Sequence, residues 1–195
     1  MIRTVLLTLA MLVIAIGGGA GSVWYAVSAQ EGVGAVTVGS WTAYPDMGAP
    51  DADPYSKARQ ARLGLLPLGR AEGLAFIATR DAAGAPLSRQ CSYLIEGSTP
   101  PARFWTLYAA DPTLRMIAPG GMRKPALQSL SILRNPDNSF AVAVAPQAAP
   151  GNWLRVSGGS GPMALVLTLY DTSVAGVIGV EDVALPKISR TGCGG

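Results

Sequence analysis

Apolar and polar residues alternate in short runs along most of the chain, and one long run at the start departs from that pattern. No charged side chain occurs between Arg3 and Glu31, and Val5–Val27 is apolar almost throughout. As a helix this stretch is about 35 Å long at roughly 1.5 Å per residue, enough to cross a bilayer core. The positive charge before it assigns the N-terminus to the cytoplasmic side, and Trp24-Tyr25 falls where an aromatic belt meets the far interface. Residues 1–30 therefore read as an N-terminal transmembrane helix, a single pass in the inner membrane with the remaining chain in the periplasm. A cleaved signal peptide fits the same residues, with Arg3 as n-region, Val5–Ile16 as h-region and Val27-Ser28-Ala29 as the cleavage site. The anchor is the favoured reading of the two.

Residues 31–52 are rich in Gly, Pro and Asp and read as a tether ending in an ordered lip, with a short alternating piece at Val36, Val38 and Ser40-Trp41 that suits an edge strand. Asp53-Pro54 then supplies an N-cap followed by proline at the first helical position, and Gly64 a stop. These signals predict a helix over 54–63. Arg59 and Arg62 lie near its C-terminal end, where the helix dipole favours cations. Beyond Gly64 the pattern changes to short strand-like runs: Leu74–Thr79, Ser92–Ile95, Arg103–Tyr108, Ser129–Leu133, Phe140–Ala145, Ala164–Tyr170 and Val174–Val180. Turn chemistry separates them at Asp81–Gly84, Gly97–Pro101, Asn135–Asn138 and Gly158–Gly161. Many short strands with one helix predict an all-β domain over 53–195, an antiparallel β-sandwich or jelly roll. One core is the expectation for a chain of this length.

Composition narrows the chemistry. Only 14% of the 195 residues are charged and the net charge is +3, with no dense basic run, so the balance points to no nucleic-acid partner. The chain contains no histidine, which removes Ser-His-Asp and Cys-His machinery and histidine-ligated metals. Its two cysteines are too distant for a metal knuckle or a redox Cys-x-x-Cys pair. In an oxidising compartment they are expected to pair, and Cys91–Cys193 is the one intramolecular bridge open to them. Asp46, Asp51 and Asp53 fall close together without a known cation-loop spacing, so no metal and no cofactor are expected. Gly158–Gly161 lacks dinucleotide and Walker spacing and reads as a hairpin turn.

The aromatics carry the remaining signal. Trp41, Trp105, Trp153, Tyr93, Tyr108 and Tyr170 lie on or beside predicted strands, as a β-core requires and as a ligand groove would also require. Candidate ligand-binding residues are Trp105, Trp153, Arg103, Asn152, Arg155 and Tyr170, suited to a glycan or other small ligand. No catalytic residue stands out.

Several segments, Asp53-Pro54-Tyr55 with Pro67-Leu68-Gly69, Pro100–Tyr108, Asn152-Trp153-Leu154 and Leu169-Tyr170-Asp171, resemble domain-of-unknown-function family 1214 over about residues 35–193. The chain is similar to the short, membrane-anchored bacterial version. It departs from the family pattern at Trp105-Thr106-Leu107-Tyr108-Ala109, which is shortened, and at Arg155, which replaces a frequent proline. The resemblance implies a jelly-roll-like sandwich and a companion envelope protein carrying a 1254-type domain, and it transfers no catalytic residue. The reading is thus a non-enzymatic binding or accessory domain of the cell envelope. The alternative is a carboxylate-dependent enzyme acting on an envelope glycan, which needs two acids about 5–10 Å apart.

Overall fold

The computed structural model describes residues 2–28, 34–64, 66, 68–69, 71–118, 125–157, 159–172, 174 and 183–193. Helix α1, Ile2–Ser28, is exposed along its apolar length, and Ile2–Ala26 is long and apolar enough to cross a membrane. Strands β1 (Val36–Val38) and β2 (Trp41–Ala43) form a hairpin, with β1 at the sheet edge as its alternation predicts. Helix α2, Pro54–Leu63, begins where Asp53 Oδ1 accepts hydrogen bonds from the amides of Tyr55 and Ser56, at 2.9 and 3.0 Å. It ends at Gly64, whose left-handed φ of 63° turns the chain out of the helix.

Eight further strands follow: β3 (Gly73–Ala78), β4 (Cys91–Gly97), β5 (Phe104–Ala110), β6 (Ala126–Gln128), β7 (Phe140–Ala145), β8 (Asn152–Arg155), β9 (Ala164–Tyr170) and β10 (Lys187–Cys193). They make two sheets, a six-stranded one ordered β1-β2-β3-β9-β5-β6 and a four-stranded one ordered β10-β4-β7-β8. Pairing is antiparallel apart from β7 with β8, which run parallel. Period-two alternation turns Trp105 and Leu107 of β5, Leu165, Leu167 and Leu169 of β9 and Phe76 of β3 inward. There they meet Tyr93 and Ile95 of β4, Phe140 and Val142 of β7 and Ile188 of β10 in one core. Gly73 is required at its position, because a Cβ there would strike Leu169 O where β3 and β9 meet.

The sequence misplaces one strand, reads the β1–β2 hairpin as a single edge piece, and misses β8 and β10. Ser129–Leu133 alternates like a strand, yet the ladder ends at Gln128. Ser131 N and Oγ both donate to Gln128 O, at 3.0 and 3.3 Å, and turn the chain, leaving Leu130 and Leu133 exposed. Strand β8 is short and half polar, and β10 buries Ile188 alone among its seven residues, so neither carries a clear alternating pattern. Of the predicted strand Val174–Val180, all but Val174 lies outside the described residues.

Strand β10 is fastened twice. Cys91 and Cys193 occupy opposed positions of β4 and β10 and form a disulfide. Arg190 reaches back to the β3–β4 connection, with Nε 3.1 Å from the buried carboxylate of Asp81 and an Nη donating to Pro86 O at 2.7 Å. Ala82 N also donates to Ile188 O at 2.8 Å, which covers part of the outer edge of this end strand.

Candidate binding face

With Trp105, Leu107 and Ala109 turned into the core, Phe104, Thr106 and Tyr108 of β5 stand on the opposite face of the six-stranded sheet. The register sets Tyr170 beside Phe104, Thr168 beside Thr106 and Val166 beside Tyr108. On the other flank of β9, Ala75 lies against Thr168 and Ile77 against Val166. On the outer face of β9 Val166 is 3% and Thr168 7% exposed, whereas Phe104, Thr106, Tyr108, Ile77 and Tyr170 are half-buried. The rings of Phe104 and Tyr170 lie tilted with centroids 5.8 Å apart. Burial, and secondarily the charge of Tyr170, pushes the Tyr108 hydroxyl above its usual pKa.

None of these strand positions carries a charged side chain. Charge sits at the margin, where Arg103 and Asp171 form an exposed pair at 3.8 Å, their side chains 83% and 70% exposed. An uncharged aromatic and hydroxyl centre with charge kept to one end has the composition of a protein-docking surface. The signal that marks it is the lack of apolar–polar alternation in Phe104–Tyr108, where both parities of the strand carry large side chains.

The sequence-derived candidates fall in three places. Arg103 and Tyr170 adjoin at one end of this face, with Arg103 N donating to Tyr170 O at 3.1 Å. Trp105 is inside the core, its ring 5.0 Å from that of Phe140. Asn152, Trp153 and Arg155 are together on β8 in the other sheet. Asn152 acts as a clamp: Oδ1 accepts from Leu133 N at 2.6 Å, and Nδ2 donates to Leu133 O at 2.8 Å and Ala141 O at 2.9 Å. Beside it lies an open hollow of about 230 Å³ lined by Leu94, Arg134, Ala141 and Ala143. Trp153 is half-buried with Nε1 donating to Ala145 O at 3.0 Å. The six residues line no common groove.

Most of the described carboxylates are placed at turns, and Glu96 is on β4. Asp111 Oδ1 accepts from Thr113 Oγ1 at 2.6 Å and from the amides of Thr113 and Arg115, and Asp137 Oδ1 accepts from Ser139 Oγ at 2.7 Å and its amide. Asp81 Oδ1 holds the amides of Ala83 and Ala85, and Glu72 that of Gly69. Asp46, Asp51 and Asp53 line a second hollow of about 240 Å³ with Tyr44 and Ser56. Among the described residues no group of three acidic, histidine or cysteine side chains is placed to hold a metal ion. Glu181 and Asp182 lie outside the described residues.

The profile of a family described as protein of unknown function, DUF1214, matches residues 72–174. Strands β1, β2 and β10 belong to the same sheets but fall outside that match. The crystal structure of the VPA0106 protein from Vibrio parahaemolyticus is similar, with a TM-score of 0.55 and 17% identity over 72% of this chain and 36% of its own. An uncharacterised protein from Burkholderia cenocepacia matches with a TM-score of 0.37 and 18% identity over 73% of this chain and 44% of its own. The chain thus spans less than half the length of either protein. No curated protein matches it.

Proposed function

The chain belongs to the DUF1214 family of proteins of unknown function, and from that premise we propose that it is a non-enzymatic accessory domain of the bacterial envelope, held in the inner membrane by α1 with its β-sandwich in the periplasm. Its companion is an envelope protein with a 1254-type domain, docked on the outer face of the six-stranded sheet. The observation that carries this reading is the uncharged, half-buried set Phe104, Thr106, Tyr108 and Tyr170, with charge at one end in the exposed pair Arg103 and Asp171. A face of that kind loses little by leaving water and gains from apolar burial. Two further features support it: the disulfide suits an oxidising compartment, and the chain spans about a third of the length of the similar Vibrio protein.

A photo-crosslinking amino acid at Tyr108, in the full-length protein in its native membrane, tests this reading. We expect one dominant adduct whose sequence contains a 1254-type domain, and no such adduct from the same probe at Asp137. Equal labelling from both positions, or adducts of the chain with itself alone, overturns the proposal.

A further inference from the structure

Helix α2 carries Lys57, Arg59 and Arg62 and no acidic residue. Two independent observations fix its place relative to α1. The Arg62 guanidinium lies 4.5 Å from the ring centre of Trp24, a cation–π distance. Trp24 is at the end of the apolar span Ile2–Ala26, the depth at which tryptophan marks the headgroup region. Separately, a Cβ on Gly34 would lie 3.9 Å from Ser56 Oγ of α2. Gly34 is six residues beyond the end of α1, and six residues span at most about 20 Å. Whatever angle the domain takes, α2 stays close to the surface that α1 leaves.

The apolar residues here agree with the basic ones. Leu66, just past α2, is 98% exposed, and Tyr55 at its start and Tyr25 beside Trp24 are also exposed. A lone exposed leucine is ordinary. Exposed leucine, tyrosine and tryptophan on or beside the same elements as basic side chains are the residue types of a bilayer interface. Lys57 Nζ uses one of its three donors on Pro50 O at 3.0 Å and keeps the others for a phosphate.

We propose that α2 is a second membrane contact, seated at the headgroups of the leaflet where α1 ends, binding anionic phospholipid through Lys57 and Arg62 while Leu66 enters the acyl boundary. The proposal rests on the reading of α1 as an uncleaved bilayer span. Its effect is to hold the sandwich at one tilt, so that the binding face points in a fixed direction.

The test uses the full chain in vesicles. Both native cysteines are in the disulfide, so an added cysteine is the one free thiol for a nitroxide label. Val13→Cys reports on α1 and Ala61→Cys on α2, with depth read by power saturation against oxygen and a water-soluble nickel chelate. In mixed phosphatidylcholine–phosphatidylglycerol vesicles we expect the label at 13 in the acyl core and that at 61 at headgroup depth. In pure phosphatidylcholine, or with Lys57→Glu or Arg62→Glu, the label at 61 should move into water. An aqueous label at 13 overturns the anchor itself. With 13 immersed, an aqueous label at 61 in the mixed vesicles overturns the α2 contact alone, and an unchanged depth in pure phosphatidylcholine overturns its dependence on anionic lipid. Spin–spin broadening at 61 that vanishes on dilution with unlabelled protein places a second copy there and overturns the lipid assignment.

Discussion

Trp41 and Trp105 are both fully buried in the core, and their indole N–H groups meet different fates. Trp41 Nε1 donates to Pro186 O at 2.7 Å, whereas Trp105 Nε1 is buried with no hydrogen-bond partner among the described residues. Removing one member of a buried pair leaves the other unsatisfied at about 1–3 kcal/mol, a cost absent where no pair existed. Trp41→Phe is therefore expected to destabilise the protein more than Trp105→Phe by about that amount, read from urea midpoints of the full chain in detergent; equal losses would contradict the assignment. The turn carboxylates give a pH prediction. The Thr113 hydroxyl chiefly holds Asp111 below the usual carboxylate pKa, and the Ser139 hydroxyl does the same for Asp137. With the folded pKa depressed, the turn bonds are fully present above the unfolded value of about 3.9 and are lost as pH falls through the lower folded value. Amide shifts of Thr113 and Ser139 should titrate below the ordinary carboxylate range, and Asp111→Asn should abolish the transition at Thr113. At this scale the sequence shows residue type but not facing. By residue type Trp105 and Tyr170 each suit a core more than a ligand groove, and only the strand register sends one inward and the other outward.

Among the elements, α2 was legible to the residue, because Asp53, Pro54 and Gly64 act locally and need no partner to specify the ends. Strands β7 and β9 were equally plain, since each has a continuous apolar run. The Cys91–Cys193 bridge was legible by elimination, but strand β10 was not, because it buries Ile188 alone and its ion-pair partner Asp81 is distant in sequence. Replacing both cysteines by serine should cost about 2–5 kcal/mol. Arg190→Ala leaves the Asp81 carboxylate buried without its cation and should cost about 1–3 kcal/mol, less than for a fully buried pair because Arg190 is partly exposed. Hydrogen exchange reads both: amides of β10 should lose protection before those of β9 in either variant. Uniform loss across both sheets would show instead that β10 does not open separately.

At the scale of the molecule, the two-sheet class was legible from the count and spacing of short strands, while strand order was not. Pairings such as β3 with β9 join segments far apart in the chain, and no local signal names such partners. One shared core implies one unfolding unit. Leu167→Ala, in the middle of β9 and fully buried, should cost about 2–5 kcal/mol and lower the protection of β4 amides along with those of β9; an effect confined to the six-stranded sheet would mean that the sheets open independently. The same long-range closure has a consequence in time. Cys91 and Cys193 are separated by 102 positions, and at a synthesis rate of about 5–20 residues per second the second cysteine trails the first by roughly 5–20 s. For that interval Cys91 is an unmated thiol and β4 has an open edge on the side that β10 will take. Trp41 waits similarly for Pro186, and β3 for β9. The emerging chain is thus open to capture by a foreign thiol or a passing strand until its late segments arrive, and whatever escorts it through those seconds decides how much of it matures.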